Sequence, residues 1–241
     1  MASAAGPVWP TPWGGPEPRT PKRRALSREA IVEVALGVVD TEGLDALSMR
    51  RVAQELNTGA ASLYAHVSNK EQLVELVLDR AYAGLTHPVP DPGCWREQVR
   101  AFLRQSRDSL VSHNDLARAA LSTNIPTQPN HMDAAETMLS LLRAGGLPDQ
   151  VAAYGVDLIA NYLVMSAFEL SERGGPGSRP DPAHADAYLA GIQDFLGALP
   201  ADRYPVVTSM IPELTRNEGD ERFDFGVDVI LAGLEARARR G

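Results

Sequence analysis

Residues 47–73, LSMRRVAQELNTGAASLYAHVSNKEQL, constrain the fold more than any other stretch of the chain. Met49, Val52, Ala53 and Leu56 recur at helical spacing and share one face of a short helix, with Ser48 ahead of them as its N-cap. Asn57-Thr58-Gly59 supplies a turn in which Gly59 can take a positive φ. Ala60, Leu63, Tyr64 and Val67 then repeat the helical spacing. Helices this short bury too little surface to stand alone and need a third to pack on. It lies upstream: Ser27 as cap, Glu29 in the first turn, Ile31, Val34, Ala35 and Val38 as the buried face, Gly43 as the stop. This order is the helix-turn-helix pattern, whose second helix can enter the DNA major groove.

Leu63-Tyr64-Ala65-His66-Val67-Ser68-Asn69-Lys70 resembles the L-Y-x-H-[FV]-x-N-K signature of the tetracycline-repressor (TetR) family. The resemblance is strong over 26–85 and rests mainly on helix order from Trp95 onward. It implies a homodimeric, ligand-responsive regulator, most simply a repressor, bound to a palindromic operator and released by a small-molecule effector. It also implies that Arg50 reads a base and that Tyr64 and His66 position phosphates.

Physical chemistry supports the same surface. Ala61 and Ser62 lie off the buried stripe and are small enough to let a helix sit deep in the groove. Arg50 and Arg51 place cations in a helix's first turn, against its dipole, and Arg is a bidentate donor to guanine or phosphate. Lys70 opens the next helix, where free N–H groups favour an anion. Ser68-x-x-Glu71 reads as its capping box. Tyr64 shares the buried stripe, so its ring is expected inside with the hydroxyl reaching out. The residues expected at DNA are Ser48, Arg50, Gly59, Ala61, Ser62, Tyr64, His66 and Lys70.

The remainder reads as helix without strand patterns, giving an all-α fold: a three-helix DNA-binding head joined to a helical ligand-binding and dimerisation body. Residues 1–24 read as a disordered basic arm, its prolines excluding helix and Lys22-Arg23-Arg24 closing it. Residues 25–70 form the head and 71–241 the body. Body helices are expected over 69–85, 95–111, 115–121, 132–144, 149–173, 183–199, 204–214 and 223–239. The glycine- and proline-rich 174–182 reads as a mobile loop. The stripe Phe223, Val227, Ile230, Leu231, Leu234 on the last helix is expected to pair with a second copy, together with 149–173, as a four-helix bundle.

An apolar pocket with a few polar groups is expected in the body. Its candidates are His87, Phe102, Met138, Tyr162, Met165, Phe168 and Glu169, the last being a charge in an apolar helix. Where the tetracycline repressor holds an antibiotic–magnesium chelate through histidines, this chain has Thr86 and Ala120, with His87 beside the first. The resemblance therefore implies a pocket rather than that chelate, and no metal or cofactor is expected.

The net charge of −8 excludes a protein coated with positive charge for nucleic acid. Residues 1–70 carry eight basic against seven acidic side chains, so the negative balance sits in the body. A near-neutral head with local basic points suits a regulator that does not coat DNA indiscriminately. Cys94 is the single cysteine, so no intrachain disulfide forms. No membrane-spanning run and no signal peptide are expected, and the cytoplasm is the expected compartment. No enzyme signature of metal, phosphate-loop or nucleophile type occurs. The alternative is a helical small-molecule-binding or enzymatic protein with a vestigial DNA head.

Overall fold

The computed structural model describes residues 26–122, 127–172, 182–216 and 220–240. The basic arm over 1–24 and the loop over 174–181 lie outside the described residues. Every regular element among the described residues is helical.

The head forms as its apolar spacing requires. α1 (Arg28–Glu42) is capped by Ser27, whose side chain accepts from the Ala30 amide, and buries Ile31, Val32, Ala35, Leu36, Val38 and Val39. Gly43, at φ 84, ends it and turns the chain into a short 3-10 turn, Leu44–Ala46. α2 (Met49–Glu55) buries Met49, Val52 and Ala53. α3 (Ala60–Leu63) is four residues long and anchored by Leu63, with Val67 buried just beyond it. Full burial of each such side chain stabilises the head by about 1.5–3 kcal/mol, which helices this short need. The positive φ of the turn falls on Asn57, at 49°, and not on Gly59, which is extended at φ −80°. Asn tolerates the left-handed region, so the glycine is left free to open α3.

α4 (Lys70–Tyr82) joins head to body, packing on α1 and on the body helices α5 (Trp95–Val111), α6 (Leu116–Leu121) and α7 (Pro129–Ala144). Its cap is Asn69 rather than Ser68: Asn69 Oδ1 accepts from the Gln72 amide at 2.8 Å, and Gln72 Oε1 accepts from the Ser68 amide at 2.6 Å. The capping box is thus shifted by one residue, and Gln72 takes the role expected of Glu71.

α8 (Asp149–Glu172) runs through the body against α5, α6, α7 and α12 (Glu221–Ala238). No membrane-spanning run was expected, yet α8 is long and apolar enough to cross one, at a mean hydropathy of 1.4. It packs on four other helices of the body, with 28% of its most apolar stretch buried. α9 (Pro182–Gly197) packs with α10 (Pro205–Ser209) and α11 (Ile211–Leu214). The single helix expected over 204–214 breaks at Met210 because Pro212 has no N–H to continue it.

The last helix is held differently from the expectation. Phe223, Val227, Leu231 and Leu234 are buried within the chain against α8 and α5, and so do not form a face for a second copy. Periodicity marks a buried face without saying which helix buries it. Arginines at helical spacing on α5 fix the register. Arg96 pairs with Glu235 at 2.7 Å (Nε), Arg100 with Asp228 at 2.6 Å, Arg104 with Asp224 at 2.8 Å (Nε), and Arg107 with Asp220 at 2.5 Å. Arg107 is the buried rung, with its guanidinium 4.4 Å from the centre of the Phe223 ring.

Candidate DNA interface and effector site

The residues expected at DNA lie on α3 and around the first turns of α2 and α4. Ser48 is committed to capping: its Oγ accepts from the Arg51 amide at 3.1 Å. Arg50, expected at DNA, and its neighbour Arg51 are separated by the fold. Arg51 is tied to Glu42 (Nη2–Oε1 2.6 Å) and Glu55 (Nη1–Oε2 2.7 Å), which raises its guanidinium pKa further and lowers that of the Glu42 carboxyl. That pairing explains Arg51 as a brace between α1 and α2. Arg50 is exposed and has no ion pair among the described residues.

On α3, Ala61 and Ser62 are exposed, as expected. Tyr64 is not buried: it is 54% exposed. α3 ends at Leu63, and the chain turns before Tyr64 can share the stripe of Leu63 and Val67. The ring is therefore largely on the outward surface. His66 is half-buried, and its carbonyl accepts from Arg28 Nε at 3.3 Å. Lys70 is exposed at the first position of α4.

The body candidates divide between two places. His87 Nδ1 lies 2.7 Å from Thr137 Oγ1, and its ring centroid is 5.8 Å from that of buried Phe102. Met138, also buried, follows Thr137 on α7. Tyr162 faces α12 instead: it stacks on Phe223 at 5.6 Å, and its one hydroxyl hydrogen is shared between the Arg222 and Phe223 carbonyls, each at 3.2 Å. Gly226 permits that approach, since a Cβ there would fall 2.1 Å from the hydroxyl. Glu169 pairs with Arg222 at 3.3 Å, which accounts for its charge on an apolar helix. Met165 is exposed and Phe168 is partly buried against the core.

Two head-to-body clamps escaped sequence reading. Asp40 accepts from the Asn114 amide at 3.1 Å and meets His113 Nδ1 at 3.0 Å. Asp115, in the left-handed region at φ 58, does not cap α6 but accepts from the Leu44 amide at 2.9 Å and pairs with Arg118 at 3.0 Å. On α4, Glu75 accepts from the Thr127 amide and hydroxyl at 3.1 and 2.8 Å, which lowers its pKa. Asp79 accepts from Asn130 Nδ2 at 2.7 Å and from the His131 amide at 3.0 Å. Burial lowers the His131 pKa despite the Asp79 carboxylate beside it. Residues 113–115 thus hold α1 and the 3-10 turn after it, and residues 127–131 hold α4. Among the described residues no group of three or more His, Cys, Asp or Glu side chains is placed to hold a metal.

Residues 31–77 match the model of bacterial regulatory proteins of the tetR family, and 87–238 match that of the tetracyclin repressor-like C-terminal domain. The chain belongs to the TetR family. The HTH-type transcriptional repressor DrrR1 of Streptomyces coeruleorubidus is 34% identical over 97% of this chain and 86% of its own length. The crystal structure of apo ActR from Streptomyces coelicolor superposes with a TM-score of 0.78 at 42% identity, covering 89% of this chain and 97% of ActR. ActR in complex with actinorhodin gives a TM-score of 0.79 at the same identity and coverage. The family is one of transcriptional regulators rather than enzymes.

Proposed function

We propose that two copies bind a near-palindromic operator through Ser48, Arg50, Gly59, Ala61, Ser62, Tyr64, His66 and Lys70, and leave it when a small organic effector occupies the body. One observation carries the DNA reading. Arg50, Ala61, Ser62, Tyr64 and Lys70 are all exposed on a head whose apolar side chains are inside, while neighbouring Arg51 is fully occupied. Arg50 is the base reader, Ala61 and Ser62 admit α3 to the groove, and Lys70 with Tyr64 and His66 contacts phosphates. Ser48, through its side-chain cap, and Gly59, as the residue that opens α3, aim α2 and α3.

The dimer uses the faces that the chain leaves uncovered. Tyr154, Leu158 and Met165 recur at helical spacing on α8 and are 70%, 50% and 48% exposed. Phe225 and Val229 do the same on α12, at 70% and 54%. Two such helices from each copy make a four-helix bundle. The effector site is placed at His87, Phe102, Thr137 and Met138, and the first probes are actinorhodin and (S)-DNPA, both found in complexes of ActR.

Mobility shift with the DNA upstream of its own gene tests the reading. A shifted band that competitor DNA of random sequence does not abolish, and that a probe releases, is expected. Equal competition by random DNA would count against an operator-specific regulator.

A further inference from the structure

His87 sits in a segment held more rigidly than its exposure implies. Residues 84–91 run along α5, with Pro88 and Pro90 restricting the backbone. Two α5 glutamines, two turns apart, staple it there. Gln105 Oε1 accepts from the Thr86 amide at 3.1 Å. Gln98 Nε2 donates to the Val89 carbonyl at 2.7 Å, and Gln98 Oε1 accepts from the Asp91 amide at 2.9 Å. The imidazole between these staples is fixed at Nδ1 by Thr137 and leans on Phe102.

The Thr137 hydroxyl decides which imidazole nitrogen carries the proton. Its Oγ1 lies 2.8 Å from the Asp133 carbonyl oxygen, and two oxygens approach that closely with a hydrogen between them. A threonine hydroxyl has one hydrogen, and it is spent there. Toward His87, 2.7 Å away, Oγ1 can only accept, so Nδ1 carries the imidazole proton. Nε2 is then left as a lone-pair acceptor, and it has no hydrogen-bond partner among the described residues.

We propose that His87 Nε2 is a preset acceptor for a hydroxyl of the effector, and that the effector is a neutral hydroxylated aromatic compound. This rests on the reading of the body as an effector site. The surroundings select the class. Phe102 and Met138 are apolar and buried, which disfavours a cationic donor. A phenol or enol is a strong neutral donor to an imidazole nitrogen, and a flat ring extends the tilted His87–Phe102 pair.

The test uses the full chain and a matched pair of probes, 2,6-dihydroxyanthraquinone and its dimethyl ether, with binding and operator release followed in the same titration. Wild type is expected to bind the hydroxylated probe about tenfold or more tightly than the ether. His87→Phe keeps a ring against Phe102 but removes the acceptor, and the preference should fall to within about twofold. Thr137→Val, which frees the ring to take either tautomer, should reduce it partway. A preference that survives His87→Phe overturns the proposal, as does failure of wild type to bind either probe. Long-range proton–nitrogen NMR of the wild-type protein provides an independent check that needs no variant. It should show His87 protonated on Nδ1, and protonation on Nε2 overturns the proposal. Hydroxyl-selective binding without operator release would support the acceptor and count against the sensing reading, so the two fail separately.

Discussion

At the residue scale, neighbouring cations on one helix do different work because of what surrounds them. Arg51 is braced by Glu42 and Glu55, whereas Arg50 is exposed. Arg50→Ala is expected to weaken operator binding by about 1–3 kcal/mol and to relax one operator position, read by competition against single-base operator variants. Lys70→Ala should weaken all sequences alike and lower the salt slope by about one unit. Equal slopes for Lys70→Ala and wild type would remove that phosphate contact. His131 gives a pH prediction. Its pKa in the folded chain is lowered from the ordinary 6.5 by burial, so the unfolded chain binds the proton more readily. The contribution of neutral His131 to stability is therefore complete above about pH 6.5 and is lost as pH falls through the depressed folded value. The melting temperature should drop on acidification from pH 7.5 to 5.5, and less steeply in His131→Phe. Identical pH profiles for the two proteins would exclude His131 as the titrating group.

At the element scale, residues 113–115 hold the head at α1 and the turn after it, and residues 127–131 hold α4. Asp115 spends a left-handed backbone to place its carboxylate on the Leu44 amide. Asp115→Ala should lose about 1–3 kcal/mol and separate an early-melting head from the body in calorimetry. Asp115→Gly, which relieves the backbone but lacks the carboxylate, should split the transition in the same way. A single transition at the wild-type temperature in both variants would show that this clamp carries nothing. None of this was legible in the sequence. The clamps join residues 51 to 74 positions apart through one or two hydrogen bonds each, and such pairings leave no period. What repeats locally was legible: the caps of α1 and α2, the apolar faces of the head helices, and the order of the body helices. Tyr64 was misplaced because spacing continues past a helix end without signalling it, and α3 stops at Leu63. The pocket candidates on α8 scattered for a related reason. Tyr162 and Glu169 lie on the flank that meets α12, and a sequence shows a helix's periodicity but not its neighbours.

At the scale of the whole molecule, the buried stripe of α12 and its exposed stripe have separate tasks. The arginine ladder from α5 sets the register that puts Phe223, Val227, Leu231 and Leu234 inside and turns Phe225 and Val229 outward. Phe225→Glu with Val229→Glu should give folded monomers by sedimentation, because charge on the outward stripe opposes pairing without entering the core. Leu231→Glu should unfold the body instead. A dimer that persists in the Phe225, Val229 double variant would place the interface elsewhere. The central claim is that this chain reads a specific operator as a pair of exposed heads. The most direct test is the affinity of the full chain, by fluorescence anisotropy at fixed salt, for DNA upstream of its own gene and for the same DNA with one half-site scrambled. Binding to the intact site at least about a thousandfold tighter than to random DNA, with most of that preference lost on scrambling one half-site, is the predicted result. Equal affinity for intact, half-scrambled and random DNA would contradict it.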